Sequence, residues 1–290
     1  MRVNWKKIWR VAGAVLFWGG LVAFFVATAI LRHNNERARR VERVEIVVKD
    51  SLQRRFVTPD IVRSLIEEEG VNPVGKRLDS VELVAINRVV ENYCFTSKAI
   101  TYIDYRGTLT VELSQRKPVA RVCTRGYDFY VTEDMYVLPT QPHASLNLPV
   151  VTGELDLPFG SSFRGSLVEW FGKEEKKSPK SYDFFRKLIN FVVYTEESPE
   201  LKGQFVQVAV VKPSTKASSK NYTEPRVELI PRHGNYTIEL GHLEDVEQKL
   251  YRWRRFVESG VVNLEGGRVN VEFDGQVVWK APKAPKKTKK

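Results

Sequence analysis

The chain has 290 residues, with 46 Lys or Arg against 35 Asp or Glu for a formal charge of +11, and two cysteines. The excess is confined to the ends: residues 1–43 and 280–290 together carry +13, and the remainder, 44–279, carries about −2. That distribution argues against nucleic-acid binding by the folded part and leaves the basic flanks to anionic headgroups or water. Two cysteines are too few for a disulfide framework, and Cys94 and Cys123 are expected as two buried thiols in preference to one bridge.

In chain order, residues 1–10 form a short basic tail with Trp5, Lys6, Lys7, Trp9 and Arg10 at the place of interfacial anchors. Val11 to Leu31 is free of charge, and its 21 residues at ~1.5 Å rise span roughly 31 Å, the depth of a hydrocarbon core. A single transmembrane helix is expected, followed by a juxtamembrane linker over 32–43. A cleaved signal peptide competes, because Ala27-Thr28-Ala29 has the small-x-small form, but the run exceeds the ~7–15 residues of a signal core. Basic residues flank both ends, so charge alone does not orient the helix. The short leading tail points to a cytoplasmic N-terminus and an outer position for the rest.

Residues 44–116 read as β-α-α-β-β. Val44, Ile46 and Val48 alternate with polar neighbours as a half-buried strand. Thr58-Pro59-Asp60 supplies a cap and a first-turn proline for a helix carrying Ile61, Val62, Leu65 and Ile66, which stops at Gly70. A second helix is expected from Asp79, boxed by Glu82, with Leu83, Ile86 and Val90 on one face. Thr101–Tyr105 and Thr108–Leu113 then form a hairpin around Arg106-Gly107.

Residues 117–279 are strand-rich, with two helices. Strands are expected at Val119–Cys123, Phe129–Val131, Tyr136–Leu138, Phe205–Lys212, Arg226–Ile230 and Tyr236–Leu240, and a last strand region over Arg268–Trp279. The helices are Ser181–Tyr194, with Phe185, Leu188, Ile189 and Val192 along one stripe, and Leu243–Ser259, with Leu243, Val246, Leu250, Trp253 and Val257. Pro213–Pro225 reads as a polar loop, Asn235 as a turn residue, and 280–290 as a Lys/Pro tail too polar to fold. The fold class is α+β.

Catalytic signatures fail on inspection. Gly70 to Lys76 has the glycine spacing of a phosphate loop, but Arg77 replaces the magnesium-holding hydroxyl and Pro73 removes an amide. His33, His143, His233 and His242 stand apart without ligand spacing, and Glu67-Glu68-Glu69 reads as a solvated helix end. No enzyme, cofactor or metal is expected.

Three stretches carry a family resemblance: Phe56-Val57-Thr58-Pro59-Asp60, Gly107 to Glu112, and above all Gln115-Arg116-Lys117-Pro118-Val119-Ala120-Arg121 at the domain junction. With Leu148–Gly153, Leu229–Arg232 and Gly234–Gly241, the chain resembles the FtsQ/DivIB family of bacterial cell-division proteins, especially its Bacteroidota branch. The resemblance implies a POTRA domain over 44–116 and the family's β domain over 117–279. It implies a non-enzymatic inner-membrane scaffold at the septum, whose partners are FtsB/FtsL-type coiled-coil proteins and other divisome components, docked by strand addition. The matching positions are Val271, Phe273, Gly275, Val277 and Trp279, with Tyr251, Arg252 and Arg255 of the preceding helix. A competing reading of that segment is an internal hairpin turned at Asp274-Gly275, with Val271–Phe273 on Gln276–Val278 and Trp279 as a core cap. A POTRA-bearing transport or chaperone component is the alternative function. Two positions depart from the family pattern: Met135 where a turn glycine is common, and Glu272 where some relatives carry a basic residue.

Overall fold

The computed structural model describes residues 5–49, 56–141, 146–157, 159–172, 180–211, 224–260 and 263–282. The polar segment 213–223, the tail from 283, Asn221 and His143 lie outside the described residues. The chain divides into two units: Met1–Gln53 with Val57–Gln115, and Arg54–Phe56 with Arg116–Lys290.

The first unit begins with helix α1 (Trp5–Ala38), 34 residues without a proline. Its Gly13–Ile30 segment is long and apolar enough to cross a membrane, and none of that segment is buried within the protein. The stretch expected as a linker stays helical through Ala38 and is then fastened directly. Leu78 N–H donates to Arg39 O, Val41 N–H to Lys76 O and Glu42 N–H to Gly107 O, at 2.9–3.1 Å.

Strands β1 (Arg43–Val48), β2 (Thr96–Ile103) and β3 (Thr108–Gln115) form a sheet in the order β1-β3-β2, with helices α2 (Pro59–Glu68) and α3 (Leu83–Asn92) between β1 and β2 in sequence. The helical crossover makes β1 parallel to β3, pairing Ile46 with Val111, while β2 and β3 are antiparallel neighbours. Val62, Ile66, Ile86 and Val90 are buried with Leu109, Val111 and Leu113, as the two periodicities require. Thr58 caps α2 by accepting the Ile61 N–H at 3.4 Å, with Pro59 in the first turn. The second helix starts four residues later than the cap pattern suggests, at Leu83. Asp79 is drawn into a bidentate pair with Arg77 within a short 3-10 turn, and Glu82 makes no side-chain cap.

The loop resembling a phosphate cradle has already spent its amides. Val71, Val74, Gly75 and Lys76 donate to Ile66 O, Asn72 Oδ1, Val41 O and Pro73 O. No outward row of donors remains for an anion.

The second unit is a ten-stranded mixed sheet. Its strands are β4 (Pro118–Thr124), β5 (Tyr127–Thr132), β6 (Tyr136–Pro139), β7 (Val150–Gly153), β8 (Gly165–Ser166), β9 (Phe205–Val211), β10 (Arg226–Pro231), β11 (Thr237–Gly241), β12 (Arg268–Asn270) and β13 (Val278–Lys280). The order is β13-β12-β11-β10-β9-β7-β4-β5-β6-β8. Register aligns one continuous apolar row on the core face: Phe129, Val122, Val151, Val208, Leu229, Ile238, Val269 and, at the end, Trp279. The first seven are buried, and Trp279 packs half-buried on the same core.

Helices α5 (Lys180–Glu197) and α6 (Val246–Glu258) contribute to this core. Phe185, Leu188, Ile189 and Val192 of α5 are all buried, and Trp253 of α6 stacks at 5.3 Å on Phe205. A third helix absent from the sequence expectation, α4 (Leu167–Gly172), buries Leu167 beside β6.

One expectation changes, and the two departures from the family pattern find their local setting. Neither cysteine is buried as expected: Cys123 is exposed, because alternation along β4 points Val122 into the core and Cys123 to the opposite face, and Cys94 is half-buried. Met135 takes the turn's left-handed conformation at φ 59° while its side chain is 3% exposed, so burial holds a conformation that glycine commonly supplies. Glu272 has an intrachain partner, an ion pair with Arg226, and its side chain lies against Gly241, where a Cβ would approach it to 2.5–2.7 Å.

Candidate partner-docking edge

The C-terminal strand β13 is the last of the ten strands and pairs only with β12, through Asn270–Val278, Val269–Trp279 and Arg268–Lys280. Its other side carries no strand among the described residues. An edge of this kind presents backbone donors and acceptors that a further strand can satisfy.

The sequence leaves two readings of this segment, and the internal fold-back is the one visible in the structure, at the edge of the sheet. The chain does fold back, but pairing starts at Asn270, and Val271–Val277 form the connection. Two hydrogen bonds explain why the tighter hairpin does not form. Val271 N–H donates to Glu239 O on β11, and Glu272 N–H donates to the Asn270 side chain at 3.0 Å. The bend at Asp274-Gly275, with Gly275 at φ +72°, therefore sits within a wider loop.

The eight residues singled out in the sequence fall into distinct places. Val271 is fully buried, and Val277 is half-buried on the core, just before β13. Trp279 lies on β13 itself, its indole occupying the space a Cβ on Gly267 would need. Phe273 is 50% exposed at the loop tip and Tyr251 is 62% exposed on α6. Arg252 joins helix to loop: its Nη2 donates to Val271 O at 3.2 Å and stands 3.7 Å from Asp274. Arg255 is exposed on α6. Tyr251 also borders a groove of about 530 Å³ between α5 and α6, with Tyr194, Glu247 and Arg254, the last paired with Glu200.

On the solvent face a polar cluster, missed in the sequence, holds the edge in place. Glu228 and Glu239 stand directly opposite on β10 and β11, a repulsive register. Arg268 resolves it by pairing with both, while Asn270 Nδ2 and Lys280 Nζ reach Glu239 at 2.7 and 3.2 Å. Burial pushes the Glu239 carboxyl up, but hydrogen bonds from Arg268, Asn270 and Lys280 outweigh it, and its pKa is lowered overall. Burial lowers the Arg268 pKa, and the bonds to its two carboxylates more than restore it. Alternating charged residues at 228, 239, 268 and 280 carried the sequence signal, but the pairing depends on register.

An N-terminal helix long and apolar enough to cross a membrane, an α/β module and a strand-rich domain define the class of protein, one that bears a POTRA-like domain. A model of the POTRA-like domain matches residues 39–114, and one described as FtsQ/DivIB, C-terminal related, matches residues 117–279. The chain belongs to the FtsQ/DivIB family, a non-catalytic family of cell-division proteins. No curated protein matches the chain. Among the described residues, no group of three or more His, Cys, Asp or Glu is placed to hold a metal ion.

Proposed function

We propose that this chain is a single-pass inner-membrane scaffold of the division machinery, with residues 1–10 cytoplasmic and both folded units outside, concentrated at the septum. Its outer sheet recruits FtsB/FtsL-type coiled-coil partners by accepting one of their strands on β13. The observation that carries this reading is the position of β13: a short terminal strand with an open side, braced from the solvent face by Lys280–Glu239 and from the core face by Trp279. Main-chain pairing along Val278–Lys280 would supply affinity, and exposed Phe273 and Tyr251 would supply flanking apolar contact. Arg252 holds the loop bearing Phe273 in place, Arg255 offers a charge at the rim, and Val271 and Val277 secure the strand from beneath.

Photo-crosslinking in dividing cells tests it. A benzophenone side chain at Phe273 or Lys280 should capture an FtsB/FtsL-type protein, and one at exposed Trp170 on α4, which follows β8 at the opposite end of the sheet, should not. Equal capture at all three positions, or capture at Trp170 alone, removes the edge as the docking site.

A further inference from the structure

Within the first unit, the junction between α1 and the sheet it leads into is tight and basic. Arg39 Nη1 donates to Tyr105 O at 2.8 Å and Arg40 Nη1 to Gly75 O at 2.7 Å, so these two arginines lash the exit of α1 to two separate loops. The fit leaves no room for a side chain at Gly107, where a Cβ would meet Arg40 O at 2.6 Å. Arg39 lies nine residue steps beyond Ile30, the end of the apolar span, and α1 is helical through Ala38. At ~1.5 Å per residue the loops are tethered roughly 14 Å from the hydrocarbon edge. The headgroup layer itself occupies about 5–8 Å of that distance, and the ~6 Å reach of a Lys or Arg side chain, whose stem can lie along the surface while its charge meets a phosphate, closes the remainder.

What the loops present suits that layer. Val74 is 53% exposed and Tyr105 72% exposed, and the Arg106 guanidinium stands 5.3 Å over the Tyr105 ring. Lys76 and Arg106 are exposed and have no acidic partner among the ion pairs described, whereas Arg77 is taken by Asp79. Asp104, the nearest acid in the hairpin, is spent on the Arg106 and Thr108 amides at 2.9 and 2.8 Å. The sequence adds Arg32, Arg37 and Arg43 against Glu36 and Glu42, a basic excess on the outer side of the span that orientation rules would not supply.

We infer that the two loops clamping Arg39–Glu42 rest on anionic phospholipid headgroups of the membrane that α1 crosses, with Lys76 and Arg106 facing phosphates and Val74 and Tyr105 seated at the interface. Basic residues at such a surface are attracted within a Debye length, and tyrosine favours the headgroup level. The first unit is then held in one orientation on the bilayer. This inference rests on the membrane-anchor reading.

The full chain, with Cys94→Ser and Cys123→Ser, is placed in nanodiscs of pure phosphatidylcholine or of phosphatidylcholine mixed with phosphatidylglycerol. An environment-sensitive fluorophore is attached at Val74→Cys or, as a control, at exposed Lys98→Cys. The label at 74 should shift to the blue and be quenched several-fold by headgroup spin labels in the anionic discs. High salt or the pair Lys76→Glu and Arg106→Glu should reverse both effects, and the label at 98 should stay solvent-exposed. A chain that enters the discs but whose label at 74 ignores lipid charge overturns the rim contact alone. A chain that does not enter the discs overturns the anchor and the rim together.

Discussion

The indole of Trp279 fills the space where Gly267 would carry a side chain. Two residues before Val269, the residue that Trp279 pairs with, the chain is bare so that the ring can lie down on it, and the edge strand is locked to the core by this contact. Gly267→Ala should displace the ring while leaving its chemistry intact. Overpacking of this kind costs about 1–3 kcal/mol. The expected result is lower stability of the strand-rich unit together with weaker partner capture. Trp279→Ala should lose ~2 kcal/mol or more of partner binding if the ring also touches the partner. Melting curves beside pull-downs separate the two effects: unchanged binding in both variants would place the docking surface elsewhere.

The Glu239 cluster predicts an acid sensitivity of the same edge. Its folded pKa lies below the ordinary value of 4.5, so its contribution to stability is complete above that pH and is lost as pH falls through the lowered folded value. Wild type should lose β13 protection, read by hydrogen exchange at 278–280, as the pH drops below about 4.5. Glu239→Gln should start with weaker protection and show a flatter acid dependence. An identical pH profile for both proteins would mean that Glu239 does not brace the strand.

Met135 sets two effects against each other. Glycine would relieve the left-handed backbone, worth roughly 1–2 kcal/mol, but would empty a buried site whose loss costs about 2–5 kcal/mol for methionine truncation. Met135→Gly should therefore be destabilising, by about 1–3 kcal/mol, measured by denaturant unfolding. A more stable variant would show that the backbone strain dominates.

Exposed Cys123 is a native reporter of topology. In a Cys94→Ser background, a membrane-impermeant maleimide applied to spheroplasts should label Cys123. With Cys123→Ser and Asn4→Cys, it should label only after lysis. The reverse pattern would invert the orientation, and a mature chain beginning near Ile30 would establish a cleaved signal peptide.

Local chemistry is legible wherever neighbours in sequence decide it. The uncharged run marks α1, Thr58-Pro59 marks the start of α2, and the Phe185, Leu188, Ile189, Val192 stripe marks the buried face of α5, because capping and periodicity act within one or two turns. The second helix starts later than its cap pattern predicts because Asp79 has a competing partner in Arg77, a choice between two local bonds that residue type does not rank. The exposure of Cys123 is not legible in the sequence because its side is set by the phase of β4 in a sheet, and a shift of one residue reverses every side chain.

The sequence by itself determined the long apolar helix, the α+β class and the family resemblance. Only the tertiary structure decided that the terminal segment is both folded back and an edge, since Val271 finds Glu239 on β11 and Glu272 finds Asn270. It likewise decided that Arg39 and Arg40 are fasteners, through carbonyls at Tyr105 and Gly75 far along the chain. These outcomes depend on which distant backbone groups come within hydrogen-bonding reach, and pairing of that range is written in register, not in any local pattern.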